Sequence, residues 1–427
     1  QSLTTNTTGQ YMTAVGTEAL KSNTTGGHNV AVGVAALYAN TEGNYNTAVG
    51  KEALEANTTG SENTAVGFET LDANTTGDNN TAYGSNALTG NTTADNNTAV
   101  GKSALSTNTT GANNTAVGSH ALSASTTVAN NTAVGYYALQ ANTTGTQNVS
   151  VGSSSSYSTT TGSYNTALGH SALYTNITGT RNTALGKNAA YYTTGDDNTS
   201  IGYFAGQYNT GSNNVNIGNF SNEVGTTGTD NVSVGLSSQR YLGTGSHNVA
   251  IGRNALHSSI SGSTGQLTGN SNTGVGRSAL YAVTSGALNT AVGGYALSSN
   301  TTANNNVAVG YNSLYLNTTG HSLTAIGYEA LKSNTTGSLN VAVGAFALDA
   351  NTTGGENTAV GYASLGACTG GNYNTALGQY ALQDLTTGSG NTALGLSAGA
   401  NITDATYNVA VGRHSLWTLT TGDENVA

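Results

Sequence analysis

The chain has 427 residues, of which only 7% are charged, and its net charge of −10 leaves ten Lys and Arg scattered along it. A protein that binds nucleic acid needs a concentrated basic surface, so the composition argues against that class. No apolar run is long enough to span a membrane. The single cysteine, Cys368, excludes an internal disulfide framework.

From residue 12 to Asn425 the chain is one segment repeated. The segment that opens with "NTAVG" at Asn46 returns at Asn63 and Asn80, each time 17 residues later. Of the 24 steps, 21 have 17 residues, two have 16 and one has 24. A short, uniform period is typical of solenoids. We therefore expect residues 1–427 to form a single continuous parallel β-solenoid, an all-β roll of about 24 coils.

Each repeat reads N-T-A-V-G-x-x-A-L-x-x-N-T-T-G-x-x, and its positions are numbered 1–17 from the Asn. Positions 2 and 4 share one face of a strand and position 3 takes the other. Position 5 is Gly in all 24 repeats, which predicts a positive φ or a tight corner. Position 9 is Leu in 18 of 24, which predicts a second short strand with Leu inward and position 10 outward. The "TTG" makes the return turn.

Two further features favour parallel stacking of coil on coil. The chain contains no Pro, and every coil must donate backbone N–H groups to its neighbour. The Asn at position 1 would form a ladder of side-chain hydrogen bonds along the axis.

Position 3 is nearly always Ala, whereas positions 6, 7 and 10 vary freely. A strand residue facing solvent should vary in the same way, so we expect position 3 to lie against another chain in a homotrimer or other homo-oligomer. The alternative is a thin single roll in which internal packing constrains both faces of the strand.

Irregular coils occur at about 152–245, where position 9 loses Leu repeatedly and both 16-residue steps fall. The 24-residue step predicts a loop insertion at about 258–271. Departures of this kind from a regular scaffold are typical places for binding. They are equally compatible with neutral drift.

Tyrosine is the most informative side chain, with 23 Tyr against four Phe and one Trp. Position 10 carries Tyr157, Tyr174 and Tyr191 on consecutive coils, which predicts a stack of exposed rings about one strand spacing apart. We consider these residues, together with Tyr311, Tyr328 and Trp417, as candidates for binding carbohydrate. Alternatively, the rings serve only to strengthen packing between coils.

Other chemistry is sparse in the sequence. The triplet "NTT" matches the acceptor pattern for N-glycosylation, as at Asn57, Asn74, Asn108 and Asn317, although a polar turn ladder explains it equally simply. The carboxylates and the seven His are dispersed, so we predict no catalytic residues, no metal site and no cofactor.

The motif "NTAVG", with "NVAVG" at 29–33 and 340–344 and "NVAIG" at 248–252, resembles the head repeat of trimeric autotransporter adhesins. Similar repeats occur in bacteriophage tail fibres. The resemblance implies left-handed parallel β-rolls, three chains to a bundle, displayed on a surface for attachment. The repeat here is a few residues longer than in those heads, and no neck, stalk or membrane anchor is recognisable.

The sequence thus favours a segment of a longer, non-enzymatic extracellular fibre on a cell or virion surface, which serves as an adhesin or binds a glycan receptor. The first alternative is a purely structural filament or sheath polymer, or a tail fibre that binds only through its ends. A glycan-cleaving enzyme, which would require clustered carboxylates in a groove between chains, is the third.

Overall fold

A computed structural model describes residues 1–258 and 265–427. The chain divides into two compact units, residues 1–210 and residues 211–427, and each is a stack of similar coils. The division falls within the segment 152–245, where the sequence predicts irregular coils.

Each coil contributes one strand of three residues, at positions 2–4 of the repeat. In the first unit the strands are β1 Thr13–Val15, β2 Val30–Val32, β3 Thr47–Val49, β4 Thr64–Val66, β5 Thr81–Tyr83, β6 Thr98–Val100, β7 Thr115–Val117, β8 Thr132–Val134, β9 Val149–Val151, β10 Thr166–Leu168, β11 Thr183–Leu185 and β12 Thr199–Ile201. In the second unit they are β13 Val215–Ile217, β14 Val232–Val234, β15 Val249–Ile251, β16 Thr273–Val275, β17 Thr290–Val292, β18 Val307–Val309, β19 Thr324–Ile326, β20 Val341–Val343, β21 Thr358–Val360, β22 Thr375–Leu377, β23 Thr392–Leu394 and β24 Val409–Val411.

Within each unit every strand pairs in parallel with the next strand in the sequence. Ala48, for example, lies opposite Ala65, one coil further on. The register is kept across the 16-residue step from Asn182 to Asn198, where Thr183 lies opposite Thr199. It is also kept across the 24-residue step, where Val249 lies opposite Thr273. No helix occurs in the described parts of the chain. The prediction of an all-β parallel solenoid with a 17-residue repeat is confirmed.

In residues 1–258 and 265–427 the predicted second strand does not form, because positions 6–11 are mainly turns. Positions 7 and 9 adopt left-handed backbone conformations, with φ of 60° at Glu52 and 52° at Leu54. Hydrogen bonds between coils nevertheless continue through this segment. The Glu52 N–H donates to the Val34 carbonyl of the preceding coil and the Leu54 N–H to the Thr70 carbonyl of the following coil. The turns are therefore part of the stack and not loops attached to it.

The core of each coil is narrow and is filled from both sides. Ala48 at position 3, Ala53 at position 8 and Leu54 at position 9 are completely buried and belong to one apolar cluster that continues through neighbouring coils. Our expectation that position 3 faces another chain is therefore wrong. Position 3 stays small because its Cβ points into the interior of its own coil, where the Leu at position 9 already fills the space.

Two ladders of buried Asn close the coil. At position 1, the Asn46 N–H donates to Asn29 Oδ1 at 2.8 Å and Asn46 Nδ2 donates to the Gly60 carbonyl at 2.8 Å. At position 12, Asn57 Nδ2 donates to Asn40 Oδ1 at 2.8 Å and to the same Gly60 carbonyl at 2.9 Å. The predicted axial Asn ladder is confirmed at position 1, and a second one, which we did not predict, lies at position 12.

The irregular coils keep their strands but change their core. In the coil that begins at Asn148, the core positions hold Ser150, Ser156 and Thr159, all fully buried, and the hydroxyl of each lacks a hydrogen-bond partner. In the predicted insertion, residues 259–264 lie outside the described residues. Leu267, which follows these residues, is buried and bridges to Leu242.

Candidate interaction surfaces

The outer face of each sheet is formed by positions 2 and 4, and we refer to it as the sheet face. Position 2 is Thr or Val in every strand, and position 4 is Val, Leu or Ile except at Tyr83, so the sheet face carries no charged residue. Within the stacks these side chains are half-buried or exposed, with an exposed fraction of 45% at Leu168, 41% at Ile251 and 40% at Ile326. Each unit therefore presents an uncharged, largely apolar strip along its whole stack of strands.

The three tyrosines at position 10 form the predicted stack. The ring centroids of Tyr157 and Tyr174 are 5.1 Å apart and those of Tyr174 and Tyr191 are 4.8 Å apart, with interplanar angles of 6° and 10°. All three residues are half-buried, so the stack is less exposed than predicted. Burial, followed by the neighbouring tyrosines, raises the pKa of the Tyr191 hydroxyl, which therefore stays protonated and able to donate a hydrogen bond at neutral pH.

The stack is longer than the sequence indicated. Tyr137 joins it at one end, 6.0 Å from Tyr157 and perpendicular to it, and is itself stacked on His120 at 5.2 Å. At the other end Tyr192 packs edge-on against Tyr191 at 4.5 Å and stacks on Tyr208 at 4.8 Å. We call this row the aromatic ladder: His120, Tyr137, Tyr157, Tyr174, Tyr191, Tyr192 and Tyr208. The sequence did not reveal its ends because they stand at positions 7 and 11, which the turns bring beside position 10.

The remaining predicted aromatic residues lie in the second unit. Tyr311 and Tyr328 are stacked with centroids 5.9 Å apart and are each 48% exposed. Trp417 is exposed and lies 4.7 Å from the His414 ring. These residues therefore form two separate groups and do not join the aromatic ladder.

The four candidate glycosylation sites are core residues of the position-12 ladder. Asn57, Asn74, Asn108 and Asn317 are all completely buried. Each donates its side-chain amide to the Asn one coil earlier and to a carbonyl three residues later, as Asn108 does to Asn91 at 3.0 Å and Gly111 at 2.9 Å. A glycan on Nδ2 would replace one of the two donated hydrogens and would have no room, so the folded coil does not offer these amides as acceptors.

Clusters of ionisable side chains are scarce. In residues 1–258 and 265–427 no three His, Cys, Asp or Glu side chains come close enough together to hold a metal ion. The same residues contain no long apolar helix that would cross a membrane. The thiol of Cys368 is buried at position 12, and burial raises its pKa above the ordinary value.

Comparison with known proteins does not assign the chain to a family. No protein-family model matches it, and no curated protein is significantly similar to it.

Proposed function

We propose that this chain is a segment of a non-enzymatic extracellular fibre. Copies of the chain associate side by side through the sheet face as a homotrimer. The turn edge, which is formed by positions 6, 7, 10 and 11 of successive coils, attaches the fibre to a carbohydrate-bearing surface through its aromatic side chains. The observation that carries this proposal is the uncharged and exposed sheet face, since the aromatic residues alone are compatible with simple packing between coils.

The sheet face has the properties of an interface that another chain covers. Twelve strands about 4.8 Å apart make a strip about 50 Å long in each unit. Contiguous apolar surface of this extent is rare on monomeric proteins and marks interaction sites. The strand N–H and carbonyl groups already bond from coil to coil, as between β3 and β4, so a partner would pack on the side chains and would not add a strand.

The number of chains in this proposal rests on the resemblance to trimeric adhesin heads. Each unit offers one such strip, and homo-oligomers normally close around an axis so that equivalent surfaces are buried. Three strips that face a common axis would bury the Thr and Val rows and leave the turn edges outside, where the aromatic ladder lies.

Molar mass in solution tests the assembly. Lysines at Val100 and Val117, which lie opposite each other in β6 and β7, would place two charges in the centre of the interface. We expect light scattering coupled to gel filtration to give three chains for the native protein and one for this variant, with β-type circular dichroism retained. Lysines at Ser85 and Ser119 are the control, because position 6 already carries Lys51 and Lys102. A monomeric native protein, or a trimer that tolerates the sheet-face lysines, contradicts the proposal.

Glycan-array binding tests attachment separately. Replacement of Tyr157, Tyr174 and Tyr191 by Ala should abolish binding without a change in molar mass. The matched control removes Tyr11 and Tyr45, which stack on His28 at 4.8 and 4.7 Å on a different edge of the coil. An unchanged glycan profile in a protein that still assembles would support the alternative of a structural filament or of a tail fibre that binds only through its ends.

A further inference from the structure

The turn edge of the coil that begins at Asn357 has a gap in its side chains. Positions 7, 10 and 11 hold Ala363, Gly366 and Ala367, whereas the following coil carries Tyr380, Gln383 and Asp384 at these positions. An open groove with a volume of about 490 Å³ lies at this gap, and we call it the notch. The residues that line it include the aromatic side chains of Phe346, Tyr362 and Tyr380, the backbone of Gly366, and the carboxylates of Asp349 and Asp384.

The three rings of the notch are arranged differently from those of the aromatic ladder. Tyr362 is nearly perpendicular to both of its neighbours, with an interplanar angle of 82° to Phe346 at 5.8 Å and of 87° to Tyr380 at 5.4 Å. Parallel rings present one flat platform. Perpendicular rings present faces that point in different directions, so a compact cation in the groove can meet more than one of them.

The charge at the notch is negative and is not neutralised by a neighbouring cation. Asp349 is half-buried, and its Oδ1 lies 3.7 Å from the place that a Cβ on Gly366 would occupy, which puts the carboxylate beside Gly366. Burial raises the pKa of this carboxyl. The nearby Lys332 is paired with Glu329 at 3.0 Å. Among the described residues neither Asp349 nor Asp384 forms an ion pair, and no Lys or Arg lines the notch.

We infer that the notch binds a methylated or quaternary ammonium group that has no anion beside it. Aromatic faces attract such cations through their negative quadrupoles, and the attraction is strongest where water is partly excluded. The carboxylates add Coulomb attraction for the ligand and oppose any phosphate attached to it. A neutral sugar ring could stack on one of the aromatic faces, but it carries no charge for the carboxylates to attract. The site is separate from the aromatic ladder, and its occupancy does not depend on the fibre function proposed above.

Calorimetric titration of the full chain at constant ionic strength tests this inference. The probes are tetramethylammonium, choline, the uncharged choline isostere 3,3-dimethylbutan-1-ol, and phosphocholine. We expect the two cations to bind with a dissociation constant on the order of 1 mM, as a few weak cation–π and Coulomb contacts allow. The isostere and phosphocholine should bind at least tenfold more weakly. Equal binding of the isostere, preference for phosphocholine, or absence of binding by both cations would overturn the inference.

Variants locate the site. Gly366→Gln introduces the residue found at the same position of the next coil and should fill the notch, which abolishes binding. Asp349→Asn keeps the volume but removes the charge, and should weaken choline binding about tenfold. Tyr362→Ala removes the ring that contacts both of the others. Its matched control is Phe68→Ala, because Phe68 is an exposed ring at the same position of another coil. Retention of native affinity by Gly366→Gln and Tyr362→Ala, or its loss in Phe68→Ala, would show that the notch is not the site.

Discussion

Replacement of Asn74 by leucine should destabilise its coil, although leucine occupies the same position at Leu242 and Leu385. Asn74 Nδ2 donates to Asn57 Oδ1 at 2.8 Å and to the Gly77 carbonyl at 3.0 Å, and its Oδ1 accepts from Asn91 Nδ2 at 2.9 Å. All three amides are completely buried. The substitution therefore removes three hydrogen bonds from the core at once.

The free-energy cost depends on which hydrogen bonds each former partner of Asn74 retains. The Gly77 carbonyl retains the bond from Asn63 at 2.7 Å, and Asn91 retains its bond to Ala94 at 3.0 Å. Asn57 Oδ1 and one amide hydrogen of Asn91 are left without partners. Two buried polar groups without hydrogen-bond partners together destabilise the coil by roughly 2–6 kcal/mol, and burial of the leucine side chain offsets about 1.5–3 kcal/mol of this. We expect a net loss of roughly 2 kcal/mol in the opening free energy of this coil.

The triple replacement of Asn57, Asn74 and Asn91 by leucine separates hydrogen bonding from side-chain shape. In the triple variant the polar groups without partners are Asn40 Oδ1 and Asn108 Nδ2, at the two ends of the run of leucines. Their number is therefore two, as in the single variant. Its cost should therefore be no greater than that of the single replacement. A cost about three times larger would refute the reasoning, because it would indicate that leucine is simply the wrong shape for each site.

Native-state hydrogen exchange is the appropriate measurement, since coils of a solenoid open locally and a single melting temperature is not well defined. Exchange of the backbone amides in residues 63–108 reports the change. Residues 307–343 of the second unit, which contain an unaltered stretch of the same ladder, provide the internal reference.

Three further results are expected. Gly50→Ala should lower the opening free energy of its coil by about 3 kcal/mol or more, through backbone strain and steric overlap together. The φ angle at Gly50 is 140°, and the new Cβ would overlap the Gly67 carbonyl oxygen. Hydrogen exchange that is unchanged from the native protein would contradict this. Cys368 should react with a thiol reagent only as fast as its coil opens, and immediate labelling of the folded protein would show that the thiol is accessible. Burial, and then the charge of Arg240, lowers the pKa of His257 to about 4 from the ordinary 6.5, so the unfolded coil takes up a proton first as the pH falls. Exchange protection around His257 should therefore decline between about pH 6.5 and pH 4 and level off below that; His257→Phe should remove the decline, and persistence of the decline in that variant would refute the assignment.

The stacking of coils could be predicted from the sequence because it depends only on the period. A 17-residue repeat, the invariant Gly at position 5 and the absence of Pro all describe the backbone, and the parallel pairing of strands and the positive φ at position 5 are as expected. The orientation of the strand could not be obtained in this way. A period of two looks the same whichever face is inside, and both faces here are apolar, with Ala48 on one and Thr47 and Val49 on the other. Only side-chain volume distinguishes them, because the coil is too narrow to hold Val beside Leu54.

The turn segment was mispredicted for a different reason. Left-handed conformations are normally indicated by Gly, Asn or Asp, but here they occur at Glu52 and Leu54, for which such a backbone costs about 1–2 kcal/mol each. The hydrogen bonds that both residues make to adjacent coils offset this cost. Because the compensation comes from neighbouring coils, it is not visible in any one repeat. The same limitation applies to the "NTT" triplet, which matches an acceptor motif while its Asn lies in the core.

The candidate sites follow from the way the two kinds of position are constrained. The core positions accept few residues, so the chain diversifies at its surface turns, and most of all at the turn edge, where positions 6, 7, 10 and 11 of neighbouring coils lie side by side. A large residue repeated there builds a ladder, as at Tyr157 and Tyr174, and a small residue between large ones opens a notch, as at Gly366. Whether a coil carries a flat aromatic surface or a groove therefore depends on the size of its side chains at these positions relative to those of the adjacent coils. A single repeat cannot reveal such a site, and the search for function in chains of this kind has to compare equivalent positions across successive coils.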